Sequence, residues 1–455
     1  MKKTKFLNTL IALVVLAATW GAFKLYDKRK HNAKPAVETT ASAKLFSVDA
    51  QHIQSISFKP RDGEAFTCRR EGGKWVISAP QSLAVDQGNF SGILNSLTTA
   101  TEEDVVDAHP ADLKQFGLDP PSFTLEVTTD TKPQSFTLRL GDDTPTSGGV
   151  YAQEASSPQV FTLATYLKNS LEKKMFDLRD RRAATLDTDQ LRKVAVDYKG
   201  TSWSLEKNPE GVWDLVLPPP VRADRFTVDG LVSQLRGLTM QSIVAESKKK
   251  PGDYGFGSPE LRLQLTASGG TQTIVVGKKE KDAERYYAMN SALDPVFTLN
   301  SDILTQLKKT PADLREKDLL SFSSFDAKRA EIDTPKGHWV FEHQGTQWKQ
   351  TAPSAKVVNT DKMDTFLTDL RDLRAESFPK PGSAGDFGLA KPPYRFVVQF
   401  GEKNATETVE AAKSGDHVYA RRSTDPLPSE LSKTALDGID KSLADVSSSA
   451  PPAKK

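Results

Sequence analysis

Histidine and cysteine are the side chains best suited to move a proton, hold a metal or attack an electrophile, so their spacing is the first test for chemistry. The chain has six histidines, His31, His52, His109, His338, His343 and His417. The closest pair is His338 and His343, and on an alternating strand that odd separation points the two rings to opposite faces, so no shared metal is expected. The single cysteine, Cys68, has no disulfide partner and cannot build a Cys-based zinc site. Neither Cys68 nor any serine lies in a Cys/His or Gly-x-Ser-x-Gly context. No glycine is followed by the second glycine and Lys-Ser/Thr of a nucleotide loop. These residues predict no catalytic residue, no cofactor and no metal site, and the chain reads as non-enzymatic.

Charge runs are the other residues with chemical potential. They are Glu102-Glu103-Asp104, Lys248-Lys249-Lys250, Arg179-Asp180-Arg181-Arg182 and Arg315-Glu316-Lys317. The lysine triplet could meet anionic lipid. The two arginine-led runs follow the last helix of an internal unit and could be ion-pair connectors between domains or solvated charge. The solvated reading is preferred, since exposed pairs contribute little.

Composition narrows the classes further. Lys+Arg is 61 against Asp+Glu 59, a net charge of +2, which lacks the basic excess of a nucleic-acid binder. Hydrophobic residues make up 37% of 455, enough for packed cores of about three domains at roughly 150 residues each. A mean hydropathy of −0.47 and one long apolar run exclude a bundle of membrane spans.

That run is Phe6 to Phe23, uncharged, behind Lys2, Lys3 and Lys5. As a helix it would span roughly 27 Å, close to a bilayer core. A cleaved signal peptide has the same basic start, but cleavage after Ala22 would need a small residue at Trp20, so an uncleaved signal-anchor is preferred. The positive residues Lys24, Lys28, Arg29, Lys30 and Lys34 after the run leave orientation open by charge. A short tail ahead of a long body nevertheless predicts a single-pass inner-membrane protein with its body on the periplasmic or extracytoplasmic side. Residues 1–26 are the tip and span, 27–44 a polar linker, and 446–455 a low-complexity tail expected to be disordered.

The body between them is one unit written three times. Trp75, Trp213 and Trp348 recur at nearly constant spacing, as do Gly117, Gly255 and Gly388, each behind an aromatic residue. Pro121, Pro259 and Pro392 follow each glycine, and Tyr151, Tyr287 and Tyr419 centre a Val/Tyr-Tyr-Ala triplet. Asp177-Leu178-Arg179 matches Asp313-Leu314-Arg315, and Val160 to Leu163 matches Val296 to Leu299. The units are placed at 45–182, 183–319 and 320–445.

Each unit opens with alternating strands (Ile56 and Phe58; Val194 and Val196; Ala330 and Ile332). The second strand pairs Phe66 and Cys68 with Trp203 and Leu205, and with Trp339 and Phe341 in the other copies. Glycine turns at Gly72-Gly73, Gly211 and Gly345 lead into the tryptophan strand as a hairpin. Asp86, Asp224 and Asn359 are placed to cap a helix carrying Leu97, Leu235 and Leu370. Later strands include Phe123-x-Leu125-x-Val127 and its two counterparts. The third copy is expected to fray at its end, where Val-Phe-Thr-Leu is missing. Strands in this order with two or three helices per unit predict an α+β fold of mainly antiparallel sheets, plus one N-terminal transmembrane helix. By this reading the recurrent tryptophans are core anchors and the recurrent glycines positive-φ turns.

The Gly73-Lys74-Trp75 hairpin, the Phe116 to Pro121 turn and the Val150 to Ala152 strand, with their later copies, resemble the domain of unknown function 4340 (DUF4340) family. The resemblance extends over roughly 45 to 445. It implies tandem copies behind one membrane span, and it offers no catalytic residues to carry over. Association with ABC-type export systems of the gliding-motility kind implies an envelope accessory of a transporter, with protein partners in that complex. A rival expectation is an envelope polymer- or lipid-binding module using grooves between units, which exposed aromatics in such a groove would favour.

Overall fold

A computed structural model describes residues 44–145, 148–217, 219–248, 251–379 and 387–448. The expected membrane span and all of the linker but Lys44 lie outside these residues. Among the described residues no helix is long and apolar enough to cross a membrane. These residues form three antiparallel sheets and eight helices, an α+β architecture. They divide into two compact bodies, one up to Asp180 and one from Arg181 onward.

The first body holds β1 (Ile53–Pro60), β2 (Phe66–Glu71), β3 (Lys74–Ala79), β4 (Leu83–Ala84), β5 (Val105–Asp107), β6 (Phe123–Thr129), β7 (Ser135–Asp143), β8 (Gly149–Glu154) and β9 (Val160–Ala164). Their order across the sheet is β4-β3-β2-β1-β6-β7-β8-β9-β5. Register explains why the alternating residues recur. Ile56 lies opposite Cys68 and Phe58 opposite Phe66, so all four side chains reach one face and are buried. The helix Gln87–Thr99 covers that face with Phe90, Ile93, Leu94 and Leu97, and the Trp75 ring packs 4.5 Å from Phe90. Its N-cap Asp86 accepts from Asn89 N at 3.0 Å.

The second body holds two sheets. The first has β10 (Leu191–Tyr198), β11 (Thr201–Lys207), β12 (Trp213–Leu215), β13 (Val221–Arg222), β14 (Ser242–Ala245), β15 (Leu261–Ala267), β16 (Gly270–Lys279), β17 (Arg285–Asn290) and β18 (Val296–Asn300). Its order, β13-β12-β11-β10-β15-β16-β17-β18-β14, repeats that of the first body. The other has β19 (Ala327–Thr334), β20 (Gly337–Gln344), β21 (Gln347–Ala352), β22 (Lys356–Val357), β23 (Tyr394–Phe400), β24 (Ala405–Ser414), β25 (His417–Arg422) and β26 (Asp425–Leu431), in the order β22-β21-β20-β19-β23-β24-β25-β26. Val194 faces Leu205 and Val196 faces Trp203, while Ala330 faces Phe341 and Ile332 faces Trp339. The helices Arg225–Arg236 and Thr360–Arg371 cover these sheets, capped by Asp224 and Asn359.

The end of the third sheet differs from the sequence expectation. A strand, β26, forms without the Val-Phe-Thr-Leu motif, and the helix Ala435–Ser448 follows it, burying Leu436, Ile439, Leu443 and Val446. Among the described residues β5 and β14 have only a single-residue counterpart in the third sheet, the bridge between Ser377 and Glu430. The terminal helix also runs to Ser448, into the stretch expected to be a tail.

Candidate binding cleft between the second and third sheets

The recurrent residues occupy equivalent places. Trp75 and Trp348 are buried in their cores. Trp213 is half-buried instead, with the Lys207 ammonium 5.1 Å above its ring. In that sheet the buried tryptophan is Trp203, which donates from Nε1 to Leu307 O at 3.4 Å. On the opposite face of each sheet the aromatic-Gly turn meets the central tyrosine edge-on. Phe116 and Tyr151 are 5.2 Å apart, Tyr254 and Tyr287 5.2 Å, and Phe387 and Tyr419 4.9 Å. Gly117, Gly255 and Gly388 all have φ between 66° and 80°, and a Cβ on Gly255 would meet Lys278 N at 2.8 Å. Pro121, Pro259 and Pro392 sit half-buried just before the next strand. These landmarks position sheets; none lines the cleft between the second and third sheets.

The groups with most chemical potential are spread apart. Cys68 is fully buried, and burial pushes its thiol up to about 12, which leaves almost no thiolate near neutrality. His343 packs beside Trp348 and His417 beside Tyr419. His338 does gather with Glu331 and Asp333, with ligand atoms within 4.8 Å of one another. Two guanidiniums already counter those carboxylates: Arg329 donates to Glu331 at 2.6 Å, and Arg395 stands 3.6 and 3.7 Å from Glu331 and Asp333.

The residues that converge are at the junction inside the second body. The motif Asp313-Leu314-Arg315 shows how. Asp313 closes a capping box with Thr310, accepting from Thr310 N at 2.7 Å. These donors hold its carboxyl below the usual aspartate range. Leu314 is fully buried, and its carbonyl accepts from Asp224 N at 2.8 Å. Arg315 then leaves its own unit. Its Nη2 donates to Asp425 Oδ2 at 3.1 Å and to Leu427 O at 2.6 Å, and Nη1 donates to Pro428 O at 3.1 Å. Its guanidinium also lies 4.4 Å from the Phe378 ring centre. The solvated reading of this charge run is therefore corrected for Arg315, whose side chain is only 5% exposed. Among the described residues only the Ser377 bridge lies along the outer edge of β26, and the guanidinium donates to two of its carbonyls, Leu427 O and Pro428 O.

After Arg315 the connector is hydrogen-bonded on both sides. Glu316 N donates to Arg222 O at 3.0 Å, Ala375 N to Lys317 O at 2.8 Å, and Leu319 N to Leu373 O at 3.0 Å. Beside it opens a cleft of about 550 Å³ lined by Arg222, Arg225, Phe226, Glu316, Asp318, Leu320, Ser321, Phe322, Arg371, Asp372 and Arg374, a volume typical of ligand clefts (roughly 300–1,000 Å³). Leu320 and Phe322 are buried, whereas Phe226 is 85% exposed. Asp318 accepts from Arg374 at 2.9 Å and Asp372 from Arg371 at 2.8 Å. Arg222 has only the Ser321 hydroxyl, at 3.4 Å, and no carboxylate within ion-pair distance among the described residues. Behind it Arg422 is buried with Nη2 unpaired among the described residues. Burial first, then the neighbouring Arg222 charge, lowers the Arg422 proton affinity.

Comparison with known proteins places this geometry. The chain matches the family described as a domain of unknown function (DUF4340) over residues 75–220 and again over 213–392. Together these matches cover more than half of the chain. The chain belongs to the DUF4340 family. Both DUF4340 matches open on a hairpin tryptophan, Trp75 or Trp213, and each runs past the end of its own sheet. No curated protein and no solved structure matches significantly.

Sequence reasoning found the landmarks and missed the cleft, because Arg222, Arg225, Phe226 and Arg374 do not recur in register, and Arg371 recurs only as Arg236 at the end of the equivalent helix. One signal was available. Asp-Leu-Arg is a charged motif holding register among otherwise apolar landmarks, and packing within a unit does not explain its arginine.

Proposed function

We propose that this chain is a non-enzymatic, membrane-anchored cell-envelope protein that serves as an interaction component of an ABC-type, gliding-motility-like export system. In this reading the Phe6 to Phe23 run is an uncleaved single span in the inner membrane, the body stands on the periplasmic side, and the third sheet is a third copy of the family unit. The observation that carries it is the cleft of the second body. An exposed phenylalanine ringed by guanidiniums has the aromatic and arginine character of protein-contact surfaces, while the group best able to act as a nucleophile, Cys68, is sealed in a core. The experiment is gentle detergent purification of the full chain from its own membrane, with mass spectrometry of what co-elutes. A chain lacking residues 1–44 is the control. Stoichiometric recovery of a permease or ATPase with the full chain alone supports the reading; recovery of the full chain by itself refutes it.

A second reading, an envelope polymer- or lipid-binding module, is favoured by the same open cleft and its exposed ring. Co-elution of polymer or lipid without a protein partner would select it.

A further inference from the structure

We infer that the cleft between the second and third sheets is the docking site for an acidic polypeptide segment of a partner protein. The inference rests on the interaction-component reading above and names the chemistry of its partner.

The charge arrangement selects the occupant. The lining carries four guanidiniums (Arg222, Arg225, Arg371 and Arg374) and three carboxylates (Glu316, Asp318 and Asp372). The carboxylates are committed: Asp318 to Arg374, Asp372 to Arg371, and Glu316 to the Asp318 backbone N–H at 3.0 Å. Arg222 has no carboxylate within ion-pair distance among the described residues, Asp214 opposite it on β12 acting on it through charge alone, and Arg225 reaches only Asp229, at 3.5 Å and well exposed. Neither fork is closed by a short pair, so both can take a carboxylate from outside. A uniform polyanion would have to lie against the three carboxylates as well, and like charges across an interface are costly. A peptide can place acidic side chains on Arg222 and Arg225 and leave neutral or basic groups over Asp318 and Asp372.

Phe226 supplies the apolar anchor. It sits in the first turn of the helix Arg225–Arg236, one residue beyond Arg225, and is 85% exposed. Nothing in its own unit needs it there: the equivalent positions of the other units carry Gly88 and Asp361. A residue unique to one copy, solvent-facing and beside weakly countered guanidiniums is the pattern of a contact residue rather than of a core. The connector beneath it, bonded to both sheets, keeps these groups in one arrangement before any partner arrives.

The test places a photo-crosslinking amino acid at position 226 of the full chain in its own membrane, and maps the crosslinked segment by mass spectrometry. The same label at Tyr166, 66% exposed in the first body, is the control. The expected result is a crosslink from position 226, not 166, to one protein segment with at least two acidic residues beside an apolar one. Arg222→Glu should cut its yield by about tenfold or more with the melting temperature unchanged. Arg225→Glu, at a position 82% exposed, gives the same readout should Arg222→Glu perturb folding. Crosslinks only to glycan or lipid, no crosslink, or a yield that ignores charge reversal in folded protein would each overturn the inference. Co-purification of the complex with no crosslink at 226 would sink this site while leaving the proposed function standing.

Discussion

Arg315→Met should uncouple the second and third sheets. Arg315 is buried, makes three hydrogen bonds into β26, and faces Asp425, whose side chain is 11% exposed. Methionine keeps much of the volume and removes all the donors. Asp425 then keeps only the longer-range charge of Arg422, its cross-strand neighbour, and the Leu427 and Pro428 carbonyls lose their donor. Breaking a buried pair from one side costs about 3–5 kcal/mol. At about 1.4 kcal/mol per tenfold, that makes the separated state more populated by roughly two to three orders of magnitude. Asp425→Leu alone should cost less, since Arg315 keeps its two carbonyl acceptors. The double variant should recover only the share due to the stranded Asp425 charge, because the Leu427 and Pro428 carbonyls still lack the Arg315 donors. The double-mutant cycle should show about 2 kcal/mol of coupling. The assay is chemical denaturation of the full chain, with hydrogen exchange read on β26 and on the connector 316–319. In the parent both should exchange with the global transition; in Arg315→Met they should exchange earlier, as a separate step. High salt should barely change the parent's coupling, since a buried pair is poorly screened. An Arg315→Met protein with parental exchange at β26 would refute the idea that this guanidinium joins the sheets.

Other perturbations test the packing more locally. Gly255→Ala should destabilise by about 2 kcal/mol or more, combining left-handed strain with a Cβ 2.8 Å from Lys278 N. Gly345→Ala, also at positive φ but facing open space, should cost only about 1 kcal/mol; equal melting shifts would contradict the steric account. Cys68 should resist maleimide until the first body unfolds, since its thiol is buried and pushed up to about 12; fast labelling of native protein would show the core to be open. Asp313 has its carboxyl held below the usual range by Thr310, so its contribution is complete above the ordinary aspartate value of about 4 and fades as pH falls through the lower folded one. Asp313→Asn should therefore flatten the acid limb of a stability-against-pH curve, and an unchanged limb would reject that capping role.

The sequence alone determined the elements and their repetition. Period-two apolar residues such as Ile56-x-Phe58 must put their side chains on one sheet face, and Asp86, Asp224 and Asn359 satisfy free N–H groups at helix starts wherever they occur. Phe-Gly and Tyr-Gly turns needed positive φ, and the structure has it at each. Tertiary structure decided what lies between the sheets. β26 formed from Asp425–Leu431 with no motif to announce it, because the antiparallel neighbour β25 and the Arg315 guanidinium together meet its backbone needs. Trp213, expected as a core anchor, is only half-buried, while Trp203 is buried at the strand position it shares with Phe66, since burial depends on what packs above a strand. The cleft depends on residues from a strand end, a helix start, a connector and a helix end. Their distances in sequence carry no period, so only the folded junction could bring Arg222, Phe226 and Arg374 to one surface.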